Sequence, residues 1–153
     1  YKTGRLFEAS AKSAAMLSGK SIPFIENISK AAKLIGIAFQ VRDDLLDYGV
    51  SKGNIGKPEM QDILEDKITY PLYFALKYSN KKDSSKILKK LKNKDFSIEE
   101  VADFVSSSNA FNKCNSLIQN YSNEISKCIN QISNKEIRDE MLNLSESLKN
   151  RYE

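Results

Sequence analysis

The segment Phe39-Gln40-Val41-Arg42-Asp43-Asp44-Leu45-Leu46-Asp47-Tyr48 sets three aspartates inside an otherwise apolar run. Burying a carboxylate without a partner is costly, so these groups are either solvated or bound to something positive. Gln40, Asp43, Asp44 and Asp47 recur at i, i+3, i+4 and i+7, which puts all four on one face of a helix. Three carboxylates on one face repel each other unless a cation sits among them. Oxygen-only ligands suit a hard cation such as Mg²⁺, which keeps several waters and takes one or two carboxylates together with substrate phosphates. Taken alone, the same pattern also describes a solvated helix face, because aspartate is mostly exposed in folded proteins.

Further features of the same chemical kind flank the aspartates. Lys2-Thr3 stands at the start of the first expected helix, where a point charge, a hydroxyl and helix-start amides favour an anion. Gly56-Lys57 follows the aspartates, with glycine permitting close backbone approach and lysine within reach of a phosphate. Lys67 ends the acidic run Asp62-Ile63-Leu64-Glu65-Asp66 and can either reach back to the aspartates or a ligand, or form an exposed helix pair of little worth. Each of these is weak in isolation.

Composition bounds the chemistry. The 153 residues suffice for one domain with a sizeable core, and 41% apolar with 29% charged residues describes a folded globular chain. No apolar run approaches the length of a membrane span. The opening Tyr1-Lys2-Thr3-Gly4-Arg5 is not a signal peptide, and residue 1 is not expected to be the translation start. Histidine is absent, which removes His triads, His zinc sites and His general bases from this chain. Cys114 and Cys128 are expected about 21 Å apart on one helix, too far for a disulfide. Both fall on its apolar stripe, so buried thiols and a reducing, cytoplasmic compartment are expected. Net charge is +4, and much of the excess lies between Lys77 and Lys94. That stretch reads as a solvated lysine-rich helix and loop rather than a nucleic-acid surface, since it lacks interleaved aromatics.

The whole chain reads as helix. Phe7, Ala11, Ala14 and Leu17 mark a first helix that stops near Gly19. A long helix from Phe24 to about Tyr48 is apolar on most of its circumference, as expected at the centre of a bundle with its charged strip facing a cavity. Gly49, Gly53, Gly56 and Pro58 define a loop. Helix resumes from Gln61 to Tyr78, interrupted or kinked at Pro71, followed by a short helix over Ser84 to Leu91. Ser97-Ile98-Glu99-Glu100 is a capping-box signature opening a helix to about Ser106. Phe111, Cys114, Ile118, Tyr121, Ile125, Cys128, Ile129 and Ile132 stripe a long helix, and Ile137, Met141, Leu144 and Leu148 the last one. No internal repeat and no domain boundary stand out.

In this order the features resemble the C-terminal half of the trans-type polyprenyl diphosphate synthases. Phe39-Gln40-x-x-Asp43-Asp44-x-x-Asp47 is similar to that family's second aspartate-rich motif, and Lys2-Thr3 to its Lys-Thr pair. Gly56-Lys57 and Asp62-x-x-Glu65-x-Lys67-x-Thr69-x-Pro71 are similar to its Gly-Lys loop and following helix. The resemblance implies an all-α bundle around a central cavity. It implies elongation of an allylic diphosphate by isopentenyl diphosphate, with Mg²⁺ and cations drawing off the allylic diphosphate. Asp43 would be the principal Mg²⁺ ligand, with Asp44 and Asp47 supporting it or binding through water. Lys2, Thr3, Gln40, Lys57 and Lys67 would hold the allylic diphosphate. The short loop between Asp47 and Lys57 resembles long-chain, octaprenyl-type members more than farnesyl-type ones.

The family's first aspartate motif, its Gly-Lys-x-x-Arg segment and its arginine pair are absent. The chain is therefore expected to hold half a site, with the other half upstream, and to be unable to condense prenyl units alone. A homodimer is expected of the full-length protein. Two other readings stay open: a non-catalytic helical subunit of a heteromeric prenyl synthase, and an all-α interaction module with a lysine-rich face.

Overall fold

The computed structural model describes residues 2–51, 54–55 and 60–150, with only the backbone at 50, 51, 54, 55 and 148–150. The first helix, α1 (Lys2–Leu17), ends where expected. Gly19 is left-handed (φ 62°), and the Gly19 and Lys20 amides return to the carbonyls of Met16 and Ala15. This closes the last turn as a Schellman motif. The second helix, α2 (Ile22–Asp47), is unbroken through the aspartate segment. Beyond it, β1 (Val50–Ser51) pairs antiparallel with β2 (Asn54–Ile55), in the register Val50 to Ile55 and Ser51 to Asn54. This minimal ladder departs from the wholly helical expectation; two residues a side carry no legible alternation. Gly53, Gly56, Lys57 and Pro58 lie outside the described residues.

The helix expected over Gln61 to Tyr78, interrupted or kinked at Pro71, is interrupted: α3 (Gln61–Leu64) is followed by α4 (Tyr70–Tyr78). The break precedes Pro71 instead of falling on it. Asp66 adopts φ 60°, its amide returns to the Ile63 carbonyl, and the Lys67 amide returns to the Asp62 carbonyl. An aspartate here takes the left-handed position that glycine usually fills. Pro71 sits in the first turn of α4, where its missing N–H leaves no helical bond unmade.

The remaining helices are α5 (Lys81–Asn93), α6 (Ile98–Ser106), α7 (Ala110–Ile129) and α8 (Lys135–Asn150). Asn80 caps α5 by accepting the Asp83 amide at 2.9 Å. Ser97 caps α6, accepting the Glu100 amide at 3.1 Å. The reciprocal half of the capping box does not form; the Glu100 carboxylate instead takes the Lys90 ammonium at 2.6 and 2.7 Å.

The chain divides into two compact units. In the first, Tyr1–Arg42 with Leu117–Arg151, the core joins Ala31, Leu34, Ile35 and Ala38 of α2 to Ile125, Cys128 and Ile129 of α7. In the second, Asp43–Ser116, it gathers Tyr48, Met60, Ile63, Leu72, Ala75, Ile87, Val101, Val105 and Ala110. Both cysteines are buried thiols on the α7 stripe, as expected. Among the described residues no helix is long and apolar enough to cross a membrane.

Candidate functional site

In the first unit, α1 and α2 touch through glycines. A Cβ built on Gly36 would lie 2.9 Å from Gly4 Cα, and 3.1 Å from both the Phe7 ring and the Thr3 carbonyl. One built on Gly4 would meet Ile37 Cγ1 at 2.8 Å. Glycine inside a helix costs about 1 kcal/mol relative to alanine, and close backbone approach is the compensation. This crossing lets the Thr3 hydroxyl donate to Gln40 Oε1 at 3.1 Å. Lys2, next to Thr3, is exposed. Two residues expected to handle phosphate, Thr3 and Gln40, are thus in direct contact. Gly36 within the apolar run was the available signal for this contact.

In the second unit, the three aspartates have three different surroundings. Asp44 is only 5% exposed, and its Oδ2 accepts the amide of Tyr70, the first residue of α4, at 2.8 Å. Asp47 is half-buried and accepts the amides of Gln61 and Asp62, at the start of α3, at 3.0 and 3.4 Å. Helix-start amides have no partner within their own helix and carry positive partial charge, so both carboxylates are placed where anions stabilise a helix. Thr69 precedes α4 but does not cap it. Its hydroxyl lies 3.2 Å from the Tyr48 hydroxyl. Asp43 is the exposed carboxylate of the three.

The other expected site residues separate. Lys67 is exposed, with its ammonium 2.9 Å from Asp62 Oδ1 and 2.6 Å from Glu65 Oε2. Those contacts hold its pKa above the ordinary lysine range, Glu65 most strongly and then Asp62. This is the exposed acidic pairing, rather than a reach back to the α2 aspartates. Lys57 lies outside the described residues. Among the described residues, no three acidic or thiol side chains converge as a ready metal cage. The donor set still fits a hard, largely hydrated cation: one exposed carboxylate, with two neighbours fixed by amides.

Tyr48 is buried against Phe111, with ring centroids 6.1 Å apart. Burial pushes its phenol above the ordinary 10.0; the Thr69 hydrogen bond opposes this, while the Asp47 and Asp44 charges add to it. Above pH 10.0 the unfolded chain releases this proton and the folded chain keeps it. Stability should therefore be unaffected by this group below that pH and fall above it. Tyr48→Phe should cost about 1 kcal/mol at neutral pH and flatten the alkaline fall. Urea unfolding at neutral and alkaline pH checks both; an unchanged alkaline slope in the variant would refute the assignment.

The polyprenyl synthetase family model matches residues 1–108. The mitochondrial "Probable hexaprenyl pyrophosphate synthase" of Yarrowia lipolytica is 30% identical over 151 residues, covering 98% of this chain and 33% of that protein. A heterodimeric geranylgeranyl pyrophosphate synthase large subunit of Arabidopsis thaliana is 43% identical over 79 residues, covering 52% of this chain and 21% of its own length. A decaprenyl diphosphate synthase from Rhodobacter capsulatus shares the fold with a TM-score of 0.87 at 22% identity, over 99% of this chain and 48% of that one. Geranylgeranyl pyrophosphate synthetase from Pyrococcus horikoshii gives 0.79 at 25%, over 98% and 46%. The chain thus spans about half of these solved chains and no more than about a third of these curated relatives. The family model covers more than half of the chain on an all-α fold, and the chain belongs to the polyprenyl synthetase family.

Proposed function

We propose that this chain carries the allylic-diphosphate and Mg²⁺ half of a polyprenyl diphosphate synthase, of the long-chain type. The observation that carries the reading is the split among the aspartates. Asp44 and Asp47 are anchored on helix-start amides, so Asp43 is held at the end of α2 with its carboxylate exposed. Asp43 would hold the metal directly, and Asp44 and Asp47 would hold the frame around it. Bound there, Mg²⁺ would supply Lewis acidity to the leaving diphosphate.

The rest falls to side chains of this chain. Thr3 orients the Gln40 amide, whose N–H groups are donors for phosphate oxygens. Lys2 and Lys57 supply positive charge, and Lys67 adds to it only on leaving Asp62 and Glu65. As the allylic C–O bond breaks, its electron pair leaves with the diphosphate, and fixed cations lower the cost of that charge separation. The isopentenyl double bond then attacks the allylic carbon, and the proton lost afterwards passes to the diphosphate. No histidine is needed, in keeping with the composition.

Titration with geranyl thiolodiphosphate, an unreactive allylic analogue, tests the reading. Binding should require Mg²⁺ and vanish with chelator. Binding of equal strength without a divalent cation would overturn it.

A further inference from the structure

Helices α4 and α5 of the second unit present apolar and cationic side chains together on the outside. Ile68 (66% exposed) lies between two clefts. It shares one with Leu88 (46%) and Lys92 of α5, and the other with Tyr73 (47%) of α4. The patch continues along α4, where the Lys77 ammonium stands 5.5 Å from the ring centres of both Tyr73 and Tyr78 (53%). Lys113 covers the Tyr78 ring at 5.0 Å. On α5, Lys81, Leu88 and Lys92 fall at i, i+7 and i+11, which is one stripe of a helix. Lys81, Lys82, Lys86, Lys89 and Lys92 are all exposed and have no carboxylate partner among the described residues.

The lysine-rich segment therefore does not stand apart from aromatics, as its own sequence suggests; α4 supplies them. Apolar side chains surrounded by unneutralised ammonium groups, with tyrosine rings at the margin, match the layering of a lipid headgroup region. Lysines near such a surface are drawn to anionic lipids, while exposed aliphatic side chains enter the acyl boundary. Single-stranded nucleic acid would want a groove with stacking platforms; here the Tyr73 and Tyr78 rings already carry lysine ammonium groups.

We infer that the face formed by Ile68, Tyr73, Tyr78 and Leu88 with Lys77 and the α5 lysines docks peripherally on an anionic lipid surface. A docked synthase would release an amphiphilic product beside the phase that dissolves it.

Flotation of the chain with phosphatidylglycerol–phosphatidylcholine vesicles tests this. The protein should float with these vesicles, lose binding as salt is raised, and ignore pure phosphatidylcholine. Ile68→Ser with Leu88→Ser, and separately Lys81→Glu with Lys92→Glu, should each weaken partitioning by about tenfold. All four positions are exposed, and Mg²⁺-dependent binding of the thiolodiphosphate should be unchanged in both variants, which separates this face from the diphosphate site. The inference is overturned if the protein ignores anionic vesicles, or if both variants float like the parent. It is equally overturned if the same lysines bind single-stranded RNA while vesicles do not compete, or if the aliphatic pair proves to be buried between two copies of the chain.

Discussion

Asp44→Ala should lower the unfolding free energy by about 2–4 kcal/mol, among the largest effects of any single substitution in the aspartate segment. The change strips the Tyr70 amide of its acceptor in a buried setting and removes the anion at the start of α4. A folded domain holds only about 5–15 kcal/mol in total, so the melting temperature should drop by on the order of 10 °C. Asp44→Asn keeps an oxygen facing the amide and should lose less than half as much. If alanine and asparagine prove equally mild by thermal unfolding, Asp44 does not anchor α4.

Gly36→Ala should also destabilise, against the normal preference of helices for alanine. The added methyl meets Gly4 Cα at 2.9 Å, a backbone atom that cannot rotate away. Overpacking of this kind costs about 1–3 kcal/mol, and the propensity gain returns about 1 kcal/mol of it. Gly4→Ala should be milder, because its closest neighbour, Ile37 Cγ1 at 2.8 Å, is a side-chain atom that a χ1 change can move, although the Lys33 carbonyl at 3.2 Å limits the relief. Separating α1 from α2 also pulls Thr3 from Gln40, so Gly36→Ala should weaken diphosphate binding as well as stability. Paired melting and titration measurements check the order. A Gly36→Ala protein more stable than the parent would show that the two helices do not meet there.

What could be read from the chain follows the range of the interactions. The end of α1 at Gly19, the continuity of α2, the Ser97 cap and the buried stripe of α7 rest on neighbours within a turn or two, and local pattern reveals them. Pro71 signals an interruption, but its place ahead of the proline is not legible, because Asp66, rather than glycine, takes the left-handed position. The roles of Asp44 and Asp47 were hidden because their partners lie 26 and 14 residues away. As bare carboxylates on a helical stripe, all three aspartates look like equivalent metal ligands. Tertiary hydrogen bonding makes two of them helix anchors and leaves Asp43 exposed. Glu100 shows the same competition: a signature that predicts a local bond yields to a lysine ten residues upstream.

The most direct test is the Mg²⁺-dependent affinity of Asp43→Ala for geranyl thiolodiphosphate, measured calorimetrically beside its melting temperature. Asp43 is exposed, so the variant should melt with the parent. Its affinity should fall by at least about a hundredfold, the upper end of what even supporting residues of a metal site cost. Parental affinity in a folded Asp43→Ala protein would contradict the assignment of this aspartate to the metal and diphosphate.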